Sequence, residues 1–213
     1  MSNFRTEFLK YALACGVLEF GEFTLKSGRV SPYFFNTGLF DTGKRLRILG
    51  EYYARAIVKA GLEFDMLFGP AYKGIPLVSA IAIAFSAAHD RDVAWAFDRK
   101  EAKSYGEGGI FVGAPLKGRV LIVDDVISAG TSARRARDLI LHENAEIAGM
   151  AIALDRQERG QGEVSAVAEV QDLLGAPVIS ISDLDHLLVF VAEHPDLAEH
   201  LPQVERYRAQ YGA

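Results

Sequence analysis

Fourteen residues constrain this chain more than any others: Arg-Val-Leu-Ile-Val-Asp-Asp-Val-Ile-Ser-Ala-Gly-Thr-Ser at 119–132. Residues 120–123 are an unbroken apolar run rich in β-branched side chains, the pattern of a strand covered on both faces, as in a parallel sheet. Two carboxylates, Asp124 and Asp125, follow at once, then small and hydroxyl-bearing residues at 128–132. Helical spacing resumes afterwards, with Ala133, Ala136, Leu139 and Ile140 on one face and Arg134, Arg135, Arg137 and Asp138 on the other. Such a strand–loop–helix unit can seat phosphate, because the first N–H groups of a helix lack partners and its N-terminus carries partial positive charge. Gly130 permits close backbone approach, while Ser128, Thr131 and Ser132 add donors. No Gly-x4-Gly-Lys-Ser/Thr occurs, so this is not a Walker loop. Carboxylates accept from sugar hydroxyls and repel phosphate, so acids followed by N–H donors suit a ribose carrying a 5-phosphate. The same residues also suit a plain strand ending in a turn, with Ser132 as helix N-cap.

A second unit of this kind lies upstream. Residues 66–68 read as a buried strand, Gly69-Pro-Ala-Tyr-Lys-Gly74 as a glycine-bounded loop, and the apolar run from Ile75 as a helix. In one sheet both loops would emerge at strand C-termini, where open α/β sheets bind ligands. Further strands are expected at 93–97, 147–154 and 177–181. Helices are expected at 3–14, 44–60, 163–174 and 183–193, the last capped by Ser182, with a helical tail on the surface. Residues 20–36 read as a β-hairpin turning at Ser27-Gly28-Arg29, its second strand short or at an edge because Pro32 cannot donate to a ladder. Phe34 and Phe35 are adjacent, so a strand would send at most one of them into the core. Residues 98–109 show no apolar period; Arg99, Lys100 and Lys103 precede a glycine cluster, which suggests a mobile cationic loop. Strands alternate with helices throughout, without repeat or linker. That order predicts an α/β fold with a doubly wound, mostly parallel sheet.

Composition removes several function classes. The 28 acidic and 23 basic residues give a net charge of −5, which argues against general nucleic-acid binding. A single cysteine, Cys15, precludes a disulfide framework and fits a reducing compartment. The N-terminus has no signal-peptide pattern, and the longest apolar stretch, residues 75–88, is too short to span a bilayer. A cytoplasmic protein without membrane contact is expected. None of the five histidines falls in a candidate loop, so surface or packing roles are expected for them.

The stretch at 120–131 resembles the phosphoribosyl pyrophosphate motif of type I phosphoribosyltransferases. Residues 20–29, Ser31-Pro-Tyr-Phe-Phe-Asn36, 69–74, Arg99-Lys-Glu-Ala-Lys103 with its glycines, and Leu154-Asp-Arg-Gln-Glu-Arg159 are similar to bacterial orotate phosphoribosyltransferases over nearly the whole chain. The resemblance implies one phosphoribosyltransferase domain over 1–213, with residues 1–40 as a hood over the base. It implies Mg2+-dependent, reversible transfer of phosphoribose from phosphoribosyl pyrophosphate to orotate, giving orotidine 5′-phosphate in pyrimidine biosynthesis. It places phosphoribosyl pyrophosphate on Lys26, Tyr72, Lys73, Arg99, Lys100, Lys103, Tyr105, Asp124, Asp125, Val126, Ile127, Ser128, Ala129, Gly130, Thr131 and Ser132. Orotate falls on Lys26, Phe34, Phe35, Ser128 and Arg156. Asp124, Asp125 and Lys103 carry catalysis. The metal is expected to ride on substrate and water rather than on direct protein ligands. The basic loop would close over the neighbouring subunit's site in a homodimer, and the peptide bond between Ala71 and Tyr72 would be cis. Tyr105 stands where the family commonly has His; it can donate a hydrogen bond but carries no positive charge near neutral pH. Ser128 stands where Thr is common. The rivals are a purine or uracil phosphoribosyltransferase, and a regulator that senses phosphoribose without catalysis.

Overall fold

The computed structural model describes residues 3–25, 27–103 and 109–213, without the side chains of 102 and 103. Helix α1 (Phe4–Ala14) leads into a separate two-stranded antiparallel sheet of β1 (Leu18–Thr24) and β2 (Val30–Phe35). Then follow α2 (Gly43–Ala60), β3 (Met66–Gly69), α3 (Gly74–His89), β4 (Ala94–Lys103), β5 (Gly109–Gly113), β6 (Arg119–Val123), α4 (Thr131–His142), β7 (Glu146–Asp155), α5 (Ala166–Leu174), β8 (Val178–Asp183), α6 (Leu184–Glu193) and α7 (Leu201–Tyr211). Six strands form the main sheet in the order β5-β4-β3-β6-β7-β8. All neighbours pair parallel except β4 with β5.

Alternation within fully covered strands explains the continuous apolar runs. Met66, Phe68, Val120, Ile122, Met150 and Ile152 face α4 and α5, where Ala133, Ala136, Ile140, Val170 and Leu174 complete one core. Leu67, Leu121, Val123, Ala151 and Ala153 face the opposite way, onto Leu49, Tyr53 and Ile57 of α2 and Leu77, Val78 and Ile81 of α3. Each strand buries both faces, so no polar position interrupts it. Beyond β3 the chain crosses to β4 on one side, and β6 lies on the other. The loops after β3, β6 and β7 therefore open along one edge of the sheet at its topological switch point.

Several expectations need correction. Residues 98–103 are not loop: β4 runs on to Lys103 and pairs antiparallel with β5, a strand the sequence reading lacked. Helix α5 starts at Ala166, not 163, because the Ser165 side chain accepts from the Ala168 N–H and sets the cap there. Asp183, not Ser182, caps α6, accepting from the His186 N–H at 2.9 Å. The tail helix α7 lies on the surface as expected, docked through Val204 and Tyr207.

Candidate active site

The turn after β6 places both acids in a network of fixed donors. Asp124 is buried, and its Oδ2 accepts from Ser132 Oγ at 2.6 Å while Oδ1 accepts from the Asp125 N–H at 2.9 Å. From beneath, the Tyr53 hydroxyl donates to the Asp124 carbonyl at 2.7 Å, tying the turn to α2. Burial pushes the Asp124 pKa up to about 6; the Ser132 hydrogen bond opposes that rise and the neighbouring Asp125 charge adds to it. Asp125 Oδ1 accepts from the Val126 N–H at 2.9 Å, and Oδ2 accepts from Thr37 Oγ1 at 2.7 Å.

Ser132 is thus not the helix cap. Gly130 caps α4 in the left-handed region (φ 67°) without a side-chain hydrogen bond, and Ser132 turns back to the acid. A side chain at 130 would meet both an unfavourable φ and the Val170 Cγ2 atom, 3.1 Å from its Cβ. Ser128, Ala129 and Thr131 are exposed around this open helix start, whereas Ile127 is buried and Val126 packs against the core. An N-terminus capped by no side chain, ringed by hydroxyls, is an anion seat.

The loop after β3 meets the acids through Lys73. Its Nζ lies 3.7 Å from Asp125 Oδ2, 3.3 Å from Thr37 Oγ1 and 3.4 Å from Asn36 Oδ1. Gly69 and Gly74 pinch this loop at its base: a Cβ on Gly69 would lie 2.3 Å from the Gly74 carbonyl oxygen. The Ala71–Tyr72 peptide is cis, as expected. Asp98, buried at the end of β4's covered part, accepts from the Ala71 N–H and from Arg135 Nε, both at 2.7 Å. Arg135 also donates to the Arg99 carbonyl at 3.1 Å, so one buried carboxylate joins three segments: the 70–73 loop, the basic hairpin and α4. Lys100 Nζ sits 4.5 Å from the centre of the exposed Tyr72 ring.

The residues implicated in base binding are less open. Phe34 is exposed and stacks on Phe23 at 5.4 Å, while the Phe35 ring is buried 6.1 Å from Phe8. One of the pair faces outward and one belongs to the core. Arg156, just past β7, is largely covered and paired with Glu158 at 2.6 Å. Lys26, Tyr105 and the Lys103 side chain lie outside the described residues. Thr37, Asp98, Arg135 and Glu158 were given no site role from the sequence because each finds its main partners through the fold rather than along the chain.

Residues 37–173 match the family model described as Phosphoribosyl transferase domain. An orotate phosphoribosyltransferase of Pseudomonas syringae pv. syringae is 58% identical over 212 residues, and one of Thioalkalivibrio sulfidiphilus is 60% identical, each match covering both chains entirely. The chain belongs to the orotate phosphoribosyltransferase family. A crystal structure of orotate phosphoribosyltransferase from Francisella tularensis superposes with a TM-score of 0.88 at 42% identity, covering 97% of this chain and all of that one. The type I phosphoribosyltransferase fold expected from the 120–131 motif follows. In this chain the matched region begins at residue 37, just past the hairpin of β1 and β2.

Proposed function

We propose that this chain transfers phosphoribose from phosphoribosyl pyrophosphate to orotate, yielding orotidine 5′-phosphate and pyrophosphate for pyrimidine synthesis. The observation that carries the reading is the coincidence of full-length similarity with an acid pair set directly before an uncapped helix start. The ribose hydroxyls donate to Asp124 and Asp125, and the 5-phosphate accepts from N–H groups and hydroxyls over 128–132. The loop of Tyr72 and Lys73 takes the pyrophosphate, with Arg99, Lys100 and Lys103 closing from the hairpin. As the C–O bond to pyrophosphate breaks and a ring nitrogen of orotate bonds the same carbon, positive charge builds on the ribose ring. Fixed carboxylates stabilise that charge more in the transition state than in the ground state. Phe34 offers a flat face to the base and Arg156 a charge-assisted partner for its carboxylate.

Mg2+ supplies charge neutralisation for the departing pyrophosphate. The ion would arrive with its substrate, held by the phosphates and water. Residues 1–40 form the base-side hood of a single domain, supported by their separate hairpin sheet. The enzyme works as a homodimer: Pro76 and Ile83, seven residues apart on α3, are exposed beside the exposed Tyr72 of the pyrophosphate loop, 66% at Tyr72 and 64% at Ile83. Among the described residues no helix is long and apolar enough to cross a membrane, and the cytoplasm fits the lone free Cys15. Following orotate absorbance with phosphoribosyl pyrophosphate and Mg2+ tests the assignment. Loss of absorbance that needs all three components is expected. Turnover of uracil or a purine in place of orotate, or binding without turnover, would replace the reading.

A further inference from the structure

Glu158 is the most connected carboxylate on the base side of the site. Its Oε1 accepts from Arg156 Nε at 2.6 Å and from the Tyr207 hydroxyl at 2.9 Å; its Oε2 accepts from Arg29 Nη1 at 3.2 Å. Arg156 Nη2 donates to the buried Ser31 Oγ at 2.9 Å, and the guanidinium carbon lies 4.2 Å from the centre of the Tyr33 ring. Arg29 also reaches the Arg159 carbonyl at 3.2 Å. One carboxylate thus joins the 27–29 turn, the segment after β7 and helix α7.

Two consequences follow. Nε and Nη2 of Arg156 donate to protein partners, and among the described residues Nη1 does not, which makes it the nitrogen for a ligand. Two guanidiniums on one carboxylate also leave one net positive charge, which favours an anion. A long side chain held this way loses less entropy when it binds. We infer that Glu158 is a positioning residue that orients Arg156 toward the orotate carboxylate and couples it to the 27–29 turn.

This inference rests on the reading that Arg156 meets orotate, and the variants separate the two. Glu158→Ala should raise the orotate KM about tenfold while the phosphoribosyl pyrophosphate KM stays within twofold. Glu158→Gln, which keeps an acceptor for Nε, should recover most of that loss. If Glu158→Ala folds too poorly to assay, Tyr207→Phe serves, removing one donor to Oε1; an orotate KM raised about threefold is expected. Equal changes in both KM values, or none, would overturn the positioning role. An unchanged orotate KM in Arg156→Ala would overturn the carboxylate reading and this inference with it, whereas a raised KM there beside a silent Glu158→Ala would overturn the inference alone.

Discussion

Asp124 holds its proton to about pH 6 because its carboxylate is taken out of water, with Ser132 the hydrogen bond that limits the effect. Ionised acids are what a developing ribose cation needs, so kcat/KM for phosphoribosyl pyrophosphate should fall as pH drops through about 6. The phosphates of the substrate titrate in the same region, so the variant decides. Ser132→Ala removes a bond that favours the charged form and should move the acid limb to higher pH; a limb that stays put would remove Asp124 from the titration. Stability runs the other way. A carboxylate raised from 3.8 binds its proton more tightly in the folded state, so its contribution is full below about pH 4 and is lost as pH rises through about 6. The ionised acid that the proposed chemistry needs is therefore the form the fold favours less. The two acids were legible in the sequence because they are adjacent and follow a strand pattern. Thr37 was not, since its bond to Asp125 spans 88 residues. Asp98 and Arg135 meet only once β4 and α4 are docked.

At the scale of elements, the loop after β3 depends on two glycines whose backbones touch. Gly69→Ala would drive a Cβ against the Gly74 carbonyl, backbone against backbone, with no flexible side chain to yield. Overpacking of this kind costs about 1–3 kcal/mol. Denaturant unfolding should register that loss, and titration should show weaker phosphoribosyl pyrophosphate binding with orotidine 5′-phosphate affinity affected less. Unaltered affinity for the pyrophosphate substrate would separate the loop's shape from its role. Buried strands and amphipathic helices were readable here because burial on two faces, or on one, leaves a local period. The outer half of β4 left none: Asp98-Arg-Lys-Glu-Ala-Lys103 is a strand through its pairing with β5, a partner that periodicity does not report. Helix starts moved by one to three residues for a related reason, since neighbouring capping residues compete and the fold selects between them.

For the whole molecule, the proposed lid over the neighbouring site would make activity divisible between chains. Lys103→Ala and Asp125→Asn should each be inactive alone. Mixed dimers place both lesions in one site and leave the other intact, so random mixing should restore about a quarter of the parental activity. Mixed dimers that form and stay inactive would put the lid on its own subunit. Strand order carries a further consequence. The loops proposed for pyrophosphate, ribose and base hang from β3, β6 and β7, which lie side by side although β4 and β5 separate the first two along the chain. Adjacent strands stand ~4.8 Å apart. The sheet is in effect a ruled scale, with the departing group on one division, the incoming group on another, and the sugar carbon that changes partners between them. On the proposed reading the leaving and entering groups keep to different loops, with the sugar held between them.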